Sequence, residues 1–157
     1  MRDAIYASLD RDTAATSWRV TLEQHMSKIV GAFQSYAEAL FDSIRDDATP
    51  VPQRNVFQNL DRSSDFWEKK IGLRYETMLT SRDWRDLKIC FQQRHLLAHR
   101  EGIVDDEYLQ KSGDTQYQVG QRIVVTQDTV LRFANLVDSL AAKLREACQG
   151  VERGGGL

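Results

Sequence analysis

The sequence predicts an all-α fold, a four- to five-helix up-and-down bundle with a small β-hairpin before the last helix. Three observations carry this. Apolar residues recur at helical spacing over Trp18 to Asp46, over Ser81 to Arg100 and from Val130 to Cys148. Both prolines, Pro50 and Pro52, fall in one short stretch between these runs, so no predicted helix interior holds a breaker. With 157 residues, 41% of them hydrophobic, the chain suits one domain with a real core, read as residues 1–150.

Residues 3–14 suit a short helix with Ile5 and Leu9 as its contacts, and Thr16 or Ser17 is placed to cap the long helix after it. In that helix Leu22, Met26, Ile29, Val30, Phe33, Ala37, Leu40, Phe41 and Ile44 share one stripe. His25, beside Met26, reads as a packed or surface residue. Ala48 to Pro52 is an extended connector, because proline fixes φ and drives the preceding residue out of the helical region. Asn55 to Asp61 suits a turn of helix. Ser63 or Ser64 then caps a helix carrying Phe66, Trp67 and Ile71, which Gly72 closes. After a connector over 73–80, Ser81 caps the next helix, Asp83 suits its positive first turn and Gly102 stops it. Trp84, Leu87, Cys90, Phe91, Leu97 and Ala98 are its inward positions. Asp105, Asp106 and Glu107 read as solvated, in a short helical turn before an exposed loop at Ser112-Gly113-Asp114. Tyr117 to Val119 and Arg122 to Val125, parted by Gly120, predict the hairpin with Ile123 and Val125 on one face. Thr126 or Asp128 caps the last helix, whose stripe is Val130, Phe133, Ala134, Val137, Leu140, Ala141, Leu144 and Cys148. Residues 151–157 read as a flexible Gly-rich tail.

A net charge of −2 excludes a strongly basic nucleic-acid binder, so any RNA affinity must come from a local basic patch. Cys90 and Cys148 lie on apolar stripes and read as buried free thiols, which points to a reducing compartment. The first twelve residues carry Arg2, Asp3, Asp10, Arg11 and Asp12 and no apolar run, and no stretch reaches membrane-spanning length. The expected location is the cytoplasm, without a membrane partner. Neither a phosphate loop nor a dinucleotide glycine pattern is present, and no cofactor is expected.

Chemistry concentrates in Arg94-His95-Leu96-Leu97-Ala98-His99, where two of the three histidines stand four residues apart. With Arg94 at zero on a helical wheel, Leu87, Cys90, Phe91, Leu97 and Ala98 fall within about 60°, and Lys88, Gln92, His95 and His99 at about 100° to 160°. Arg94 therefore sits on the apolar stripe, where a charge is costly unless a carboxylate, a phosphate or a second protein surface meets it. Pairing with Glu38, Asp42 or Glu76 inside one chain is one reading, with the histidines as surface residues at a helix end. A metal pair of His95 and His99 is another, but Leu96 stands where a zinc-protease helix needs Glu, and only His25 remains as a nitrogen ligand.

The pattern of Arg94, a polar residue, three further residues and His99 near a helix end resembles the signature of the HEPN superfamily, the higher-eukaryote and prokaryote nucleotide-binding helical domains. The continuation Arg100-Glu101-Gly102-Ile103-Val104-Asp105-Asp106-Glu107-Tyr108-Leu109 also resembles the segment that follows it in bacterial members. The likeness spans roughly residues 63 to 148. It implies a metal-independent endoribonuclease of toxin or antiphage-effector type, acting on RNA as a homodimer with two Arg/His pairs across a shared cleft. An antitoxin or a fused sensor domain is a further partner it implies. In toxins paired with a nucleotidyltransferase antitoxin, a Tyr stands two residues after the final His; here that residue is Glu101, so the chain departs from that subgroup. The alternative is a non-catalytic helical module of the same kind that binds a nucleotide, an RNA or a partner protein.

RNA cleavage without a metal uses the ribose 2′-hydroxyl as nucleophile, so a group that exchanges protons near neutral pH is needed, and histidine has that pKa. A forked, permanently charged guanidinium stabilises the extra negative charge of the phosphorane. On this reading Arg94 holds the phosphate, His99 is general base or acid, and His95 orients the phosphate or His99. Lys88, Gln92 and Arg100 are the expected RNA contacts beside them.

Overall fold

In a computed structural model that describes residues 1–8, 11–46 and 48–154, α-helices carry the fold. They are α1 (Arg2–Ser8), α2 (Arg11–Ile44), α3 (Leu60–Ile71), α4 (Tyr75–Met78), α5 (Ser81–His99), α6 (Asp106–Ser112) and α7 (Gln127–Gly154), with a 3-10 turn at Val56–Gln58 before α3. The two longest helices, α2 and α7, pack on each other, and α5 packs on both and on α6. The expected stripes supply the core: Leu22, Met26, Val30, Phe33, Ala37 and Phe41 from α2 meet Phe133, Val137, Leu140, Leu144 and Cys148 from α7. Ala134, expected inward, is exposed, and Leu136 is buried instead. Both cysteines are buried, and neither forms a disulfide among the described residues. No helix among the described residues is long and apolar enough to cross a membrane.

Several helix starts differ from the expected ones. The long helix begins at Arg11, so Thr16 and Ser17 lie inside it, and buried Ala14 adds a contact at its start. The expected contact Leu9 lies outside the described residues, as do the last three residues of the expected tail. Asn59, in extended conformation, caps α3 by accepting from the Arg62 amide at 2.9 Å. Ser63 and Ser64 sit one turn later and point inward. Ser63 Oγ meets the Tyr75 hydroxyl at 2.6 Å, and Ser64 Oγ accepts from the Tyr75 amide and donates to Glu76. They join α3 to α4 rather than starting a helix. Thr80, one residue before Ser81, caps α5. Asp105 caps α6 through the Tyr108 amide at 2.8 Å, while Asp106 and Glu107 are exposed as expected. Thr126 caps α7.

The hairpin is not formed. Among the described residues there is no strand, only an antiparallel bridge between Ile103 and Arg122. The segment 120–123 finds its backbone partners in the turn after α5: the Val104 amide donates to Gln121, the Gly120 amide to Val104, and the Ile123 amide to Gly102. Tyr117 instead offers its hydroxyl oxygen to the Val124 amide. The alternation that predicted a strand survives as burial, with Ile123 and Val125 inside and Val124 66% exposed.

Gly102 is where this partnership is decided. It accepts the left-handed region at φ 76°, after Glu101 at φ 53°, and its amide reaches back to the Leu96 carbonyl at 3.0 Å, closing α5. A Cβ there would meet Leu97 at 3.3 Å and Ile123 at 3.4 Å. Gly102→Ala is therefore expected to lower unfolding free energy by about 1–2 kcal/mol. Gly31→Ala, in mid-helix with open space around it, should raise it by about 0.5–1 kcal/mol. Urea unfolding of the two variants checks both signs.

Candidate functional site

Helix α5 buries side chains on two sides. Leu87, Cys90 and Phe91 face the core, where the Phe91 and Phe133 rings meet edge to face at 5.4 Å. Further along, Leu96 is 2% exposed and Gln93 is also buried, with Gln93 against Tyr108 of α6. Leu96 was not among the expected inward positions. Ala98 was, and it is exposed. The buried face thus moves around the helix as α6 closes over its second half.

Arg94 is left half-buried between these two contacts. Its Nε is wholly buried and has no hydrogen-bond partner among the described residues. Burial pushes its guanidinium below the ordinary arginine pKa, and no opposite charge offsets the shift. The carboxylates that could have paired with it are engaged elsewhere: Glu38 with Gln34, Asp42 with Arg45, and Glu76 with Arg74 and Ser64. Among the described residues Arg94 therefore makes no ion pair.

Arg94 lines a cleft of about 60 Å³ together with Phe91, Gln92 and His95 of α5. The opposite wall is Gln58, Asn59 and Leu60 at the start of α3, and Lys111 reaches in from α6. A helix N-terminus carries partial positive charge, so α3, Arg94 and Lys111 all favour an anion here, with Lys111 shared with Glu107. Neither the Gln58–Leu60 stretch nor Lys111 was among the expected site residues. No local signal could have marked them, because they reach Arg94 from other helices.

His95 is exposed at the cleft rim. His99 stands one turn beyond, exposed and outside the cleft, with its ring centroid 4.8 Å from that of His95. His95 titrates below the usual histidine value, first through burial and then through His99, with Lys111 and Arg94 adding to this and Glu107 opposing it. Its neutral, proton-accepting form prevails at neutral pH. Of the expected RNA contacts, Gln92 lines the cleft. Lys88 is on the same helix face with its ammonium 5.9 Å from the Trp84 ring, and Arg100 caps α5 with Asp105 at 3.7 Å. His25 Nδ1 donates to the Thr21 carbonyl oxygen at 2.7 Å, away from the cleft's lining.

Among the described residues, no group of three or more His, Cys, Asp or Glu side chains could hold a metal ion, so His95 and His99 lack a third protein ligand there. Comparison with protein-family models, curated proteins and solved structures finds no match to this chain.

His95 binds a proton less readily folded than unfolded. Its share of stability is full above the unfolded pKa of about 6.5 and is lost as pH falls through the lower folded value. An NMR titration of the imidazole protons should give His95 a midpoint below 6.5, and His99→Ala should move it part of the way back.

Proposed function

We propose that this chain is a metal-independent endoribonuclease of HEPN type that cleaves single-stranded RNA by 2′-hydroxyl attack. The observation that carries the reading is Arg94, a half-buried guanidinium without a carboxylate, at a cleft edged by a histidine that is neutral at neutral pH. A phosphate is the partner that such a group lacks. Arg94 holds the scissile phosphate and stabilises the charge that grows on it. His99 moves the proton, and His95 orients the phosphate or His99.

A second copy of the chain completes the site in this proposal. At about 60 Å³ the cleft is smaller than the cavity a benzene-sized ring needs, too small to enclose a nucleotide within one chain. His99, exposed beyond the rim, is placed to act on a phosphate held from the other side, with one copy's histidine as base and the other's as acid. The same exposure also favours a second reading. No hydrogen bond among the described residues orients His99, as a module that binds RNA or a nucleotide without cutting it would allow.

Labelled single-stranded RNA incubated with the protein in EDTA is expected to be cut, leaving a 2′,3′-cyclic phosphate, and DNA to remain intact. Loss of cleavage on chelation would overturn the mechanism. Arg94→Ala and His99→Ala should each lower the rate about 10²-fold or more with the fold retained, and His95→Ala less. Mixing the two inactive variants should restore part of the activity if the site is shared. Salt-sensitive RNA binding without cleavage, abolished by Arg94→Ala, would establish the binding module instead.

A further inference from the structure

On the flank of α5 opposite His95, a second cleft of about 190 Å³ lies between α5, the loop after α6 and the start of α7. Ile89 and Cys90 form its apolar wall, and Asp86, Gln93, Asp114 and Arg132 bring polar groups to it. Gln93 is only 7% exposed, yet its Oε1 is buried without a hydrogen-bond partner. Its orientation follows from its neighbours. The Tyr108 hydroxyl donates its hydrogen to Asp114, so Gln93, which stands against that hydroxyl, turns its amide nitrogen to it and leaves Oε1 free. Asp114 is held in place by Tyr108 and by the Gln116 amide, and a carboxylate accepts more hydrogen bonds than these two. Arg132 is fixed by Asp83 and Asp86.

We propose that this cleft binds a nucleobase bearing an exocyclic amino group, one base of the RNA whose phosphate Arg94 holds, and to that extent it rests on the RNA reading. The size fits, since a cavity of about 150 Å³ takes a benzene-sized ring. The chemistry fits as well. An amino group carries two hydrogens, one for Gln93 Oε1 and one for the Asp114 carboxylate, and carboxylates and carboxamides read amino-bearing base edges in this way. Uracil has no amino group, and its carbonyls would face Asp86 and Asp114.

The route between the clefts is open. Gln93 and Arg94 are consecutive, so the clefts lie across one helix, about 10–12 Å wide with its side chains. The surface between them carries half-buried Lys88 and Gln92, with exposed Arg82 and Arg85 alongside, which suits a phosphate backbone crossing α5.

The test is a ¹H–¹⁵N NMR titration of the full chain with adenosine, guanosine, cytidine and uridine in turn. An amino-bearing nucleoside should shift the Gln93 side-chain amide and the backbone amides of Cys90 and Arg132, with uridine binding about ten-fold more weakly or worse. Gln93→Leu removes the orphan acceptor, so its Tm should equal or exceed that of the parent while nucleoside affinity falls about ten-fold or more. Ile89→Trp, which fills the cleft while leaving residue 93 as Gln, should have the same effect on binding. Uridine binding as tightly as the other three, or both variants binding undiminished, would overturn the proposal. Nucleoside binding at this cleft in a protein that never cuts RNA would defeat the ribonuclease reading and leave the subsite standing. RNA cleavage by Gln93→Leu with unchanged base preference would do the reverse.

Discussion

Helix α5 has to bury side chains toward two partners at once, and the rest of the structure depends on that constraint. Its first half meets the α2 and α7 core through Leu87, Cys90 and Phe91, and its second half lies under α6 through Gln93 and Leu96. Each fully buried apolar side chain contributes about 1.5–3 kcal/mol, so neither contact is easily given up. A single helix cannot point one stripe in two directions, and the buried face turns along its length. Arg94 lies where it turns. It is enclosed enough to lose water from its Nε, and open enough to face a cleft.

The turn after α5 sets what surrounds that arginine. Glu101 and Gly102 both adopt positive φ, which returns the chain so that residues 102–104 pair with 120–123. Between the two paired segments runs α6, laid back along α5. Lys111 thereby comes to one flank beside Arg94 and His95, while Tyr108, Ser112 and Asp114 come to the other beside Gln93. One backbone reversal supplies the walls of both clefts.

The flanks differ in charge. Around Arg94 the N-terminus of α3 and Lys111 favour an anion. Around Gln93 the carboxylates of Asp86 and Asp114 and an unpaired amide oxygen favour hydrogen-bond donors. A chain of net charge −2 thus keeps its positive potential local. Phosphate on one side and an amino-bearing base on the other is the division proposed above, with the helix between them carrying Lys88 and Gln92.

Much of the helical framework was legible in the sequence, because helical periodicity is written in residues three and four apart, and the stops at Gly72 and Gly102 are written in a residue type that accepts positive φ. The stripes of α2 and α7, the break in the helices at Pro50 and Pro52 and the burial of both cysteines follow from such short-range information. The cluster at Arg94, His95 and His99 was visible for the same reason, as residues of one helix. What only the tertiary structure decided involves partners distant in the chain. The segment 120–123 pairs with residues 102–104 rather than with 117–119, Ser63 and Ser64 turn to Tyr75 and Glu76 rather than capping, and Arg94 finds no carboxylate. Lys111 and Asn59 reach the Arg94 cleft, and Gln93 is left with an unpaired oxygen, only once α3 and α6 are packed. Local sequence sets which backbone shape each segment prefers, but which polar group meets which is settled by the packing that buries them together.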